Sequence, residues 1–507
     1  MTQYSNYESR SVMEKRQLLG IDIGTSACKV VVFDESGRLL AQASRPYDVY
    51  YPNPGWAEQD PDQWWHAVCG AVREVVNSEY VVLDRIAGIG VDGQGWSVVP
   101  IDRVGRCLAH TPIWFDTRAR SICEDVTARI SEDEIFAISG NRFLPSYCTP
   151  KVLWFKQERP DVYRNTWKFL QSNGYIVYRL TGIASQDYSQ GYGIHFFDIA
   201  QREWNGAMAD KLGLSPELFG QLCACDQVVG TVTRSAAEMT GLRAGIPVVA
   251  GGLDAASSTL GVGVYKPEQA QEQGGTAGGM SICTDRPLPH KKLILGTHVV
   301  PDRWLLQGGT VGGGGALKWF RNELAPERSY DELTALAEEV PAGAEGVCFL
   351  PYLAGERSPI WDPDAKGVFY GLTFDKKKGH FVRAVLEGVA YSLAHNLETA
   401  YEAGVTVEAM NAQGGAANSA LWTQMKADIT GLPINVPDSD TASALGACML
   451  AGVGVGVFSD YGEAVSRTVT FRRRYEPDPE RLHAYEKTKR LYRQLYKDLK
   501  NTFKEFR

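Results

Sequence analysis

Asp22, Gly24, Thr25, Ser26 and Lys29 fall within one short stretch, Leu18-Leu19-Gly20-Ile21-Asp22-Ile23-Gly24-Thr25-Ser26-Ala27-Cys28-Lys29-Val30-Val31-Val32-Phe33-Asp34. A carboxylate, two hydroxyls, an ammonium group and the free N–H groups of a glycine turn are suited to hold a phosphate chain and a Mg2+ ion. The apolar runs on either side predict two strands, which puts the polar residues at the tip of a β-hairpin. The spacing is not that of a Walker A loop, which needs GxxxxGK[ST] and a following helix. An ordinary hairpin turn is the alternative reading of the same residues.

Other polar groups sit at the ends of short apolar runs. Ile86-Ala87-Gly88-Ile89-Gly90-Val91 reads as a buried strand that opens into Asp92-Gly93-Gln94-Gly95-Trp96. Ligands of open α/β folds collect at strand C-termini, so Gln94, Gly95 and Trp96 are candidate contacts, with plain packing as the alternative for Trp96. Pro112 to Phe115 leads into Asp116-Thr117-Arg118. These side chains are suited either to grip sugar hydroxyls or to form a surface ion pair and a helix cap. Gln186 to Tyr192 is polar and predicts a cleft lining around Tyr188. Pro247 to Ala250 runs into Gly251-Gly252-Leu253-Asp254, a strand-to-glycine junction that delivers one carboxylate.

The elements that must carry these groups begin again near the middle of the chain. Gln273-Gly274-Gly275-Thr276-Ala277-Gly278-Gly279 repeats the strand–turn–strand pattern with Gly-Thr at its tip, about 250 residues after the first. That interval is too long for a solenoid repeat and is what a duplicated α/β domain would show. Gly308 to Gly315 precedes a helix over 316–324, and Asn411 to Asn418 precedes one over 419–430. Glycine loops that open helices present N–H donors to anions. The division predicted is a disordered leader over 1–17, a first domain over 18–250, a second over 251–475, and a docked, charged terminal helix over 476–507.

Composition narrows the class. The 507 residues exceed one core and suggest two to three domains. Net charge is −8, so the chain lacks the basic footprint of a nucleic-acid or anionic-membrane partner. No apolar run reaches the roughly 20 residues of a membrane span. Met1 to Gln17 has no apolar segment of the secretory kind. The ten cysteines lack CxxC or zinc spacing and predict reduced, partly buried thiols in a cytoplasmic protein.

Together these segments resemble the FGGY carbohydrate kinases, and within them the xylulokinase group. The resemblance runs from about Leu18 to Val469. It rests on Asp22-Ile23-Gly24-Thr25-Ser26 with Lys29, on Trp56-Ala57-Glu58-Gln59-Asp60-Pro61-Asp62-Gln63-Trp64-Trp65, and on Gly251-Gly252-Leu253-Asp254. Phe349-Leu350-Pro351-Tyr352-Leu353-Ala354-Gly355-Glu356-Arg357-Ser358-Pro359 adds to it. The most specific segment is Gly367-Val368-Phe369-Tyr370-Gly371-Leu372, with His380, Arg383-Ala384 and Leu386-Glu387-Gly388 downstream.

The resemblance implies an α/β fold of two actin-like (ribonuclease H-like) domains with an interdomain cleft. It implies ATP and Mg2+ as cofactors, a small sugar or polyol as substrate, and a homodimer whose interface is not identified. Asp254 would be the catalytic base beside the sugar, and Asp22 the metal ligand. Gly24, Thr25, Ser26, Lys29, Gly275, Thr276, Gly312, Gly414, Gly415 and Asn418 would bind the nucleotide. Gln94, Gly95, Trp96 and Asp116 would line the sugar site. The chain departs from the xylulokinase pattern where Gln94-Gly95-Trp96 replaces a Met-His pair, where Ala255 replaces an asparagine, and at Cys148. D-xylulose is the expected acceptor. Another ketose, a polyol or a sugar acid is the alternative within the family, and an actin-like ATPase or a non-catalytic sugar sensor the alternative outside it.

Overall fold

The computed structural model describes residues 15–505. The leader predicted over 1–17 lies outside the described residues up to position 14. Its last residue does not belong to a leader. Gln17 is fully buried and opens β1 (Gln17–Ile23), where its side chain donates to Tyr80 O at 3.0 Å and accepts from Val82 N at 2.9 Å. β1 is apolar on both faces because it lies in the middle of a sheet covered on both sides.

The first sheet has seven strands. β1 pairs antiparallel with β2 (Ala27–Asp34), and β2 with β3 (Leu39–Pro46). On its other side β1 runs parallel to β4 (Ile86–Gly93). β5 (Val228–Thr231), β6 (Pro247–Val249) and β7 (Gly252–Leu253) complete it, β6 and β7 both pairing with β4. A division at residue 250 would pass between β6 and β7, which belong to the same sheet.

The second sheet repeats the plan with β8 (Gln269–Gly274), β9 (Gly278–Thr284), β10 (Ile294–Thr297), β11 (Trp304–Thr310), β12 (Ala409–Gln413), β13 (Ile434–Pro437) and β14 (Phe471–Tyr475). β8 pairs antiparallel with β9 and parallel with β12, as β1 does with β2 and β4. The order β11-β9-β8-β12-β13-β14 therefore matches β3-β2-β1-β4-β6-β5, with the same sense at every step. The second Gly-Thr turn reflects a duplicated domain.

The helices follow local signals. α1 (Pro61–Val76) starts at Asp60, whose carboxylate accepts from Asp62 N, with Pro61 in the first turn. α2 (Cys148–Glu158) and α3 (Ser172–Thr181) follow in the first domain. α4 (Asp254–Gly261) leaves the first sheet, and α5 (Gly314–Leu324), α6 (Tyr330–Glu338), α7 (Lys378–Glu402) and α8 (Ala420–Thr430) belong to the second half. α9 (Ala442–Gly454) returns to pack on α4, β1 and β4 of the first domain. The contact is backbone to backbone. A Cβ on Gly446 would lie 1.9 Å from Ser257 O, and one on Gly90 would lie 1.9 Å from Ala447 O. α10 (Pro479–Glu505) is the terminal helix, docked on the second domain through Tyr485, Tyr492, Leu495 and Phe503. All ten cysteines are free thiols, and no described helix is long and apolar enough to cross a membrane.

Candidate active site

Strand register alone brings acids together at the floor of the cleft. Asp22 on β1 stands beside Asp92 on β4 and opposite Lys29 on β2. β7 then pairs Gly252 with Asp92, which carries Asp254 to the same edge as the first residue of α4. Asp254 Oδ1 accepts from Ala255 N at 2.6 Å. Burial, reinforced by the charge of Asp22, raises the Asp254 carboxyl to about 7. Asp22 is also raised by burial, opposed by its contact with Asp92 and by Lys29. Burial raises Asp92 strongly, with Asp22 and Asp254 adding to the shift. Asp92 is fully buried, and neither of its oxygens has a hydrogen-bond donor. Asp92 was absent from the expected site residues, although an acid closing an apolar strand was the signal that marks it.

Two adjacent carboxylates are both acceptors and repel each other unless a proton or a cation lies between them. The donor set at Asp22 and Asp92 thus fits a divalent cation. Among the described residues no group of three or more His, Cys, Asp or Glu forms an all-protein metal cage. Mg2+ is usually held by one or two carboxylates together with water and substrate phosphates, so this is the arrangement it would need.

The hairpin tip is tied through Trp114 and Gln59 to the loop at Gln94. Trp114 Nε1 donates to Thr25 Oγ1 at 3.0 Å, and Gln59 Nε2 donates to Thr25 O at 2.8 Å. Gln94 Nε2 in turn donates to Gln59 Oε1 at 2.7 Å. Gly24 caps the turn by donating to Ala27 O, while Ser26 is exposed. The wall around Trp96 is aromatic: Trp96 stacks on Tyr147 at 4.2 Å and lies 5.7 Å from Tyr192. Trp96 holds a left-handed φ of 60°, uncommon for a bulky residue. Two contacts fix it there: Lys151 Nζ donates to Trp96 O at 2.9 Å and to Ile113 O at 2.7 Å, and Trp96 N donates to Gln171 Oε1 at 3.2 Å. Burial lowers the Lys151 ammonium to about 8. Gly95 packs beneath Leu253, next to Gln190 and Tyr192. The Oε1 atoms of Gln94 and Gln190 are buried without a donor, and the Trp96 indole N–H is buried without an acceptor.

Asp116 departs from expectation. Its oxygens accept from Ala57 N at 2.6 Å and from Arg118 Nε at 2.9 and 3.0 Å, and its side chain is 0% exposed. Arg118 also donates to Glu58 and lies 4.0 Å from the Trp56 ring centre. Asp116 is therefore half of a buried ion pair that holds the loop at residue 57, and it has no oxygen left for a sugar.

On the second domain a cavity of about 820 Å³ is lined by Gly275, Thr276, Gly415 and Asn418, together with Lys318 and Trp422, which sequence reading missed. That is room enough for a nucleoside. The helix-opening amides are not free for phosphate as expected: Gly314 N donates to Gly275 O at 2.7 Å and Gly315 N to Thr276 O at 2.9 Å. They hold the tip of the second hairpin. Gly312 packs against Pro351, where a Cβ would meet Pro351 O at 2.2 Å, and Gly414 packs against Gly274. Both shape the loops around the cavity and neither lines it.

The model for the FGGY family of carbohydrate kinases, N-terminal domain, matches residues 17–261, and that for the C-terminal domain matches residues 273–455. The chain is 31% identical to xylulose kinase of Bacillus subtilis (strain 168), over 97% of this chain and 99% of that protein. It superposes on the crystal structure of xylulose kinase from Rhodospirillum rubrum with a TM-score of 0.90 and 30% identity, covering 96% of this chain and all (100%) of the other. The structure of gluconate kinase from Lactobacillus acidophilus gives the same TM-score of 0.90 at 26% identity, covering 97% and 100%.

Proposed function

The chain belongs to the FGGY family of carbohydrate kinases, and we propose that it moves the γ-phosphoryl group of ATP to a hydroxyl of a pentulose such as D-xylulose, with Asp254 as the base. One observation carries the role of Asp254: a cleft carboxyl, raised to about 7, stands at the edge of the strands that carry the first phosphate hairpin. A base near neutral pKa combines a usable ionised fraction with a real driving force for taking a proton. The Asp254 carboxylate accepts the proton of the sugar hydroxyl as that oxygen forms its bond to the γ-phosphorus. The bond between phosphorus and the β–γ bridging oxygen breaks, and ADP leaves. Such transfer depends on positioning and charge neutralisation, with no covalent intermediate on the protein.

In this reading Thr25 and Thr276 at the two hairpin tips, with Gly24, Ser26, Lys29 and Gly275, face the phosphates. Gly415 and Asn418 border the nucleoside cavity. Asp22, joined by Asp92, would hold Mg2+, whose chemistry when bound is to screen the charge on the phosphates. Gln94 and Trp96 face the sugar. Closure of the two domains over both substrates excludes water as a competing acceptor. D-xylulose draws its support from the xylulose kinases among the relatives.

An ADP-release screen with Mg2+-ATP over ketoses, polyols and aldonates tests the reaction. Turnover with a pentulose is expected, and silence with every acceptor overturns the reading. Asp254→Asn should lower kcat by ~10²–10⁴, the usual scale for a lost general base, with nucleotide affinity retained. Full turnover in that variant would remove Asp254 from proton transfer.

A further inference from the structure

Arg357 reaches the sugar side of the cleft from the second domain on a tightly pinned backbone. Glu356 Oε1 accepts from Val311 N at 2.8 Å and from Arg357 N at 2.7 Å. Ser358 Oγ accepts from Gly309 N at 2.6 Å and donates to Gly309 O at 3.1 Å, while Asn396 Nδ2 donates to Ser358 O at 3.1 Å. The residues on both sides of Arg357 are thus fastened to β11, to Val311 just after it, and to α7. The side chain passes over Gly309, where a Cβ would lie 2.5 Å from Nη2, so the missing side chain on β11 is what lets it through.

The guanidinium then stands in an aromatic corner. Its carbon lies 6.0 Å from the Trp114 ring centre, and Trp114 is the residue that holds the Thr25 hydroxyl. Its charge acts on Tyr147 and Tyr192, the rings around Trp96. The side chain is half-buried, and desolvation lowers its pKa against the opposing charge of Glu356. Among the described residues its side chain makes no ion pair, and its N–H groups have no hydrogen-bond acceptor. Glu356, the nearest acid, directs one oxygen to backbone amides and buries the other without a donor. A partly desolvated guanidinium without a hydrogen-bonded anion is unfavourable, and its planar fork matches a two-oxygen anion better than a sugar hydroxyl.

We propose that Arg357 is an oxyanion clamp supplied across the cleft by the second domain, pairing with an anionic group of the reactants where the sugar pocket meets the first phosphate hairpin. Two sources carry that chemistry: the phosphoryl group on its way to the sugar hydroxyl, or the carboxylate of a sugar-acid acceptor. The proposal rests on the sugar-kinase reading, because it needs the acceptor beside Asp254.

Arg357→Met and Arg357→Lys, assayed with a ketose and an aldonate, distinguish the sources. If the clamp holds the phosphoryl group, Arg357→Met lowers kcat at least tenfold with every acceptor. Acceptor KM then changes little, and the sugar-phosphate product loses affinity at least tenfold. If it holds a carboxylate, the ratio of kcat/KM for aldonate over ketose falls at least tenfold, and nucleotide-free aldonate binding, read by tryptophan fluorescence, weakens in step. In both cases Arg357→Lys recovers part of the loss by keeping the charge without the fork. Thermal melting of each variant separates these outcomes from unfolding. Variants that keep wild-type kcat, product affinity and acceptor ratio overturn the clamp. So does a loss confined to melting temperature. Wild-type protein that turns over no acceptor overturns the sugar-kinase reading itself, a distinct result.

Discussion

Asp254 ionises with difficulty because it is half-buried and desolvated beside another acid, and that has two consequences for pH. A base held at about 7 loses its proton-accepting form as the pH falls, so kcat/KM should drop roughly tenfold per pH unit below that value. The residual rate of Asp254→Asn should lack this limb. The second consequence concerns stability. An unfolded aspartate ionises near 3.9, so the native state binds more protons here than the unfolded state between about 4 and 7, and stability at this site falls as the pH rises through that window. Asp254→Asn cannot ionise. In Mg2+-free buffer its melting temperature should exceed that of the wild type at pH 8, with the difference vanishing near pH 4. A difference that grows toward acid would contradict the direction of the shift.

At the scale of elements, the Trp96 loop and Asp254 depend on two devices far apart in sequence. Lys151 on α2 joins the loops at Trp96 and Ile113 by donating to a carbonyl of each. Lys151→Met leaves both buried carbonyls without that donor, at about 1–3 kcal/mol for each unsatisfied group. The expected result is a lower melting temperature and an altered KM for the sugar, with KM for ATP nearly unchanged. The second device is the crossing of α4 and α9. α4 begins at Asp254, and it sits where it does because Gly446 lets the two backbones touch. Gly446→Ala inserts a Cβ 1.9 Å from Ser257 O. Overpacking of this kind costs about 1–3 kcal/mol, and here it displaces the helix that opens at Asp254. Stability and kcat should fall together, measured by thermal melting and steady-state kinetics.

The whole molecule is two copies of one sheet plan, with a Gly-Thr hairpin in each. The three acids and the aromatic wall around Trp96 belong to the first copy, and the cavity beside Thr276 and Trp422 to the second, so the proposed site needs both. The chain also crosses back: α9 lies in the second half of the sequence but packs on the first sheet. α10 completes the second domain. Tyr492 and Tyr352 join their hydroxyls at 2.8 Å, and Arg383 donates to Tyr485 Oη at 2.8 Å. Removing residues 477–507 would uncover Tyr352 and Tyr391 and forfeit buried side chains worth about 1.5–3 kcal/mol each. The truncated protein should melt at a lower temperature and lose ATP affinity before sugar affinity, as titration calorimetry would report.

Much of this was legible from sequence. The hairpin at Gly24, its echo at Gly275, the capped start of α1 at Asp60 and the junction at Asp254 are local patterns, set by chain stiffness, alternation and glycine turns within a few residues. The α/β class and the duplication follow from those patterns in order, and the resemblance to FGGY kinases from the same motifs. What sequence left open depended on which strands become neighbours. Asp92 stands beside Asp22 only because β4 pairs with β1 in that register. Asp116 meets Ala57 because Glu58-Gln59 pairs with Thr111-Pro112 from a distant part of the chain, and Gly312 is packing because Pro351 lies against it. Lys151 and Arg357 meet their surroundings across dozens to hundreds of residues. A side chain's partners are set by burial and long-range packing, and a linear pattern carries the residue's chemistry without the neighbours that decide its use.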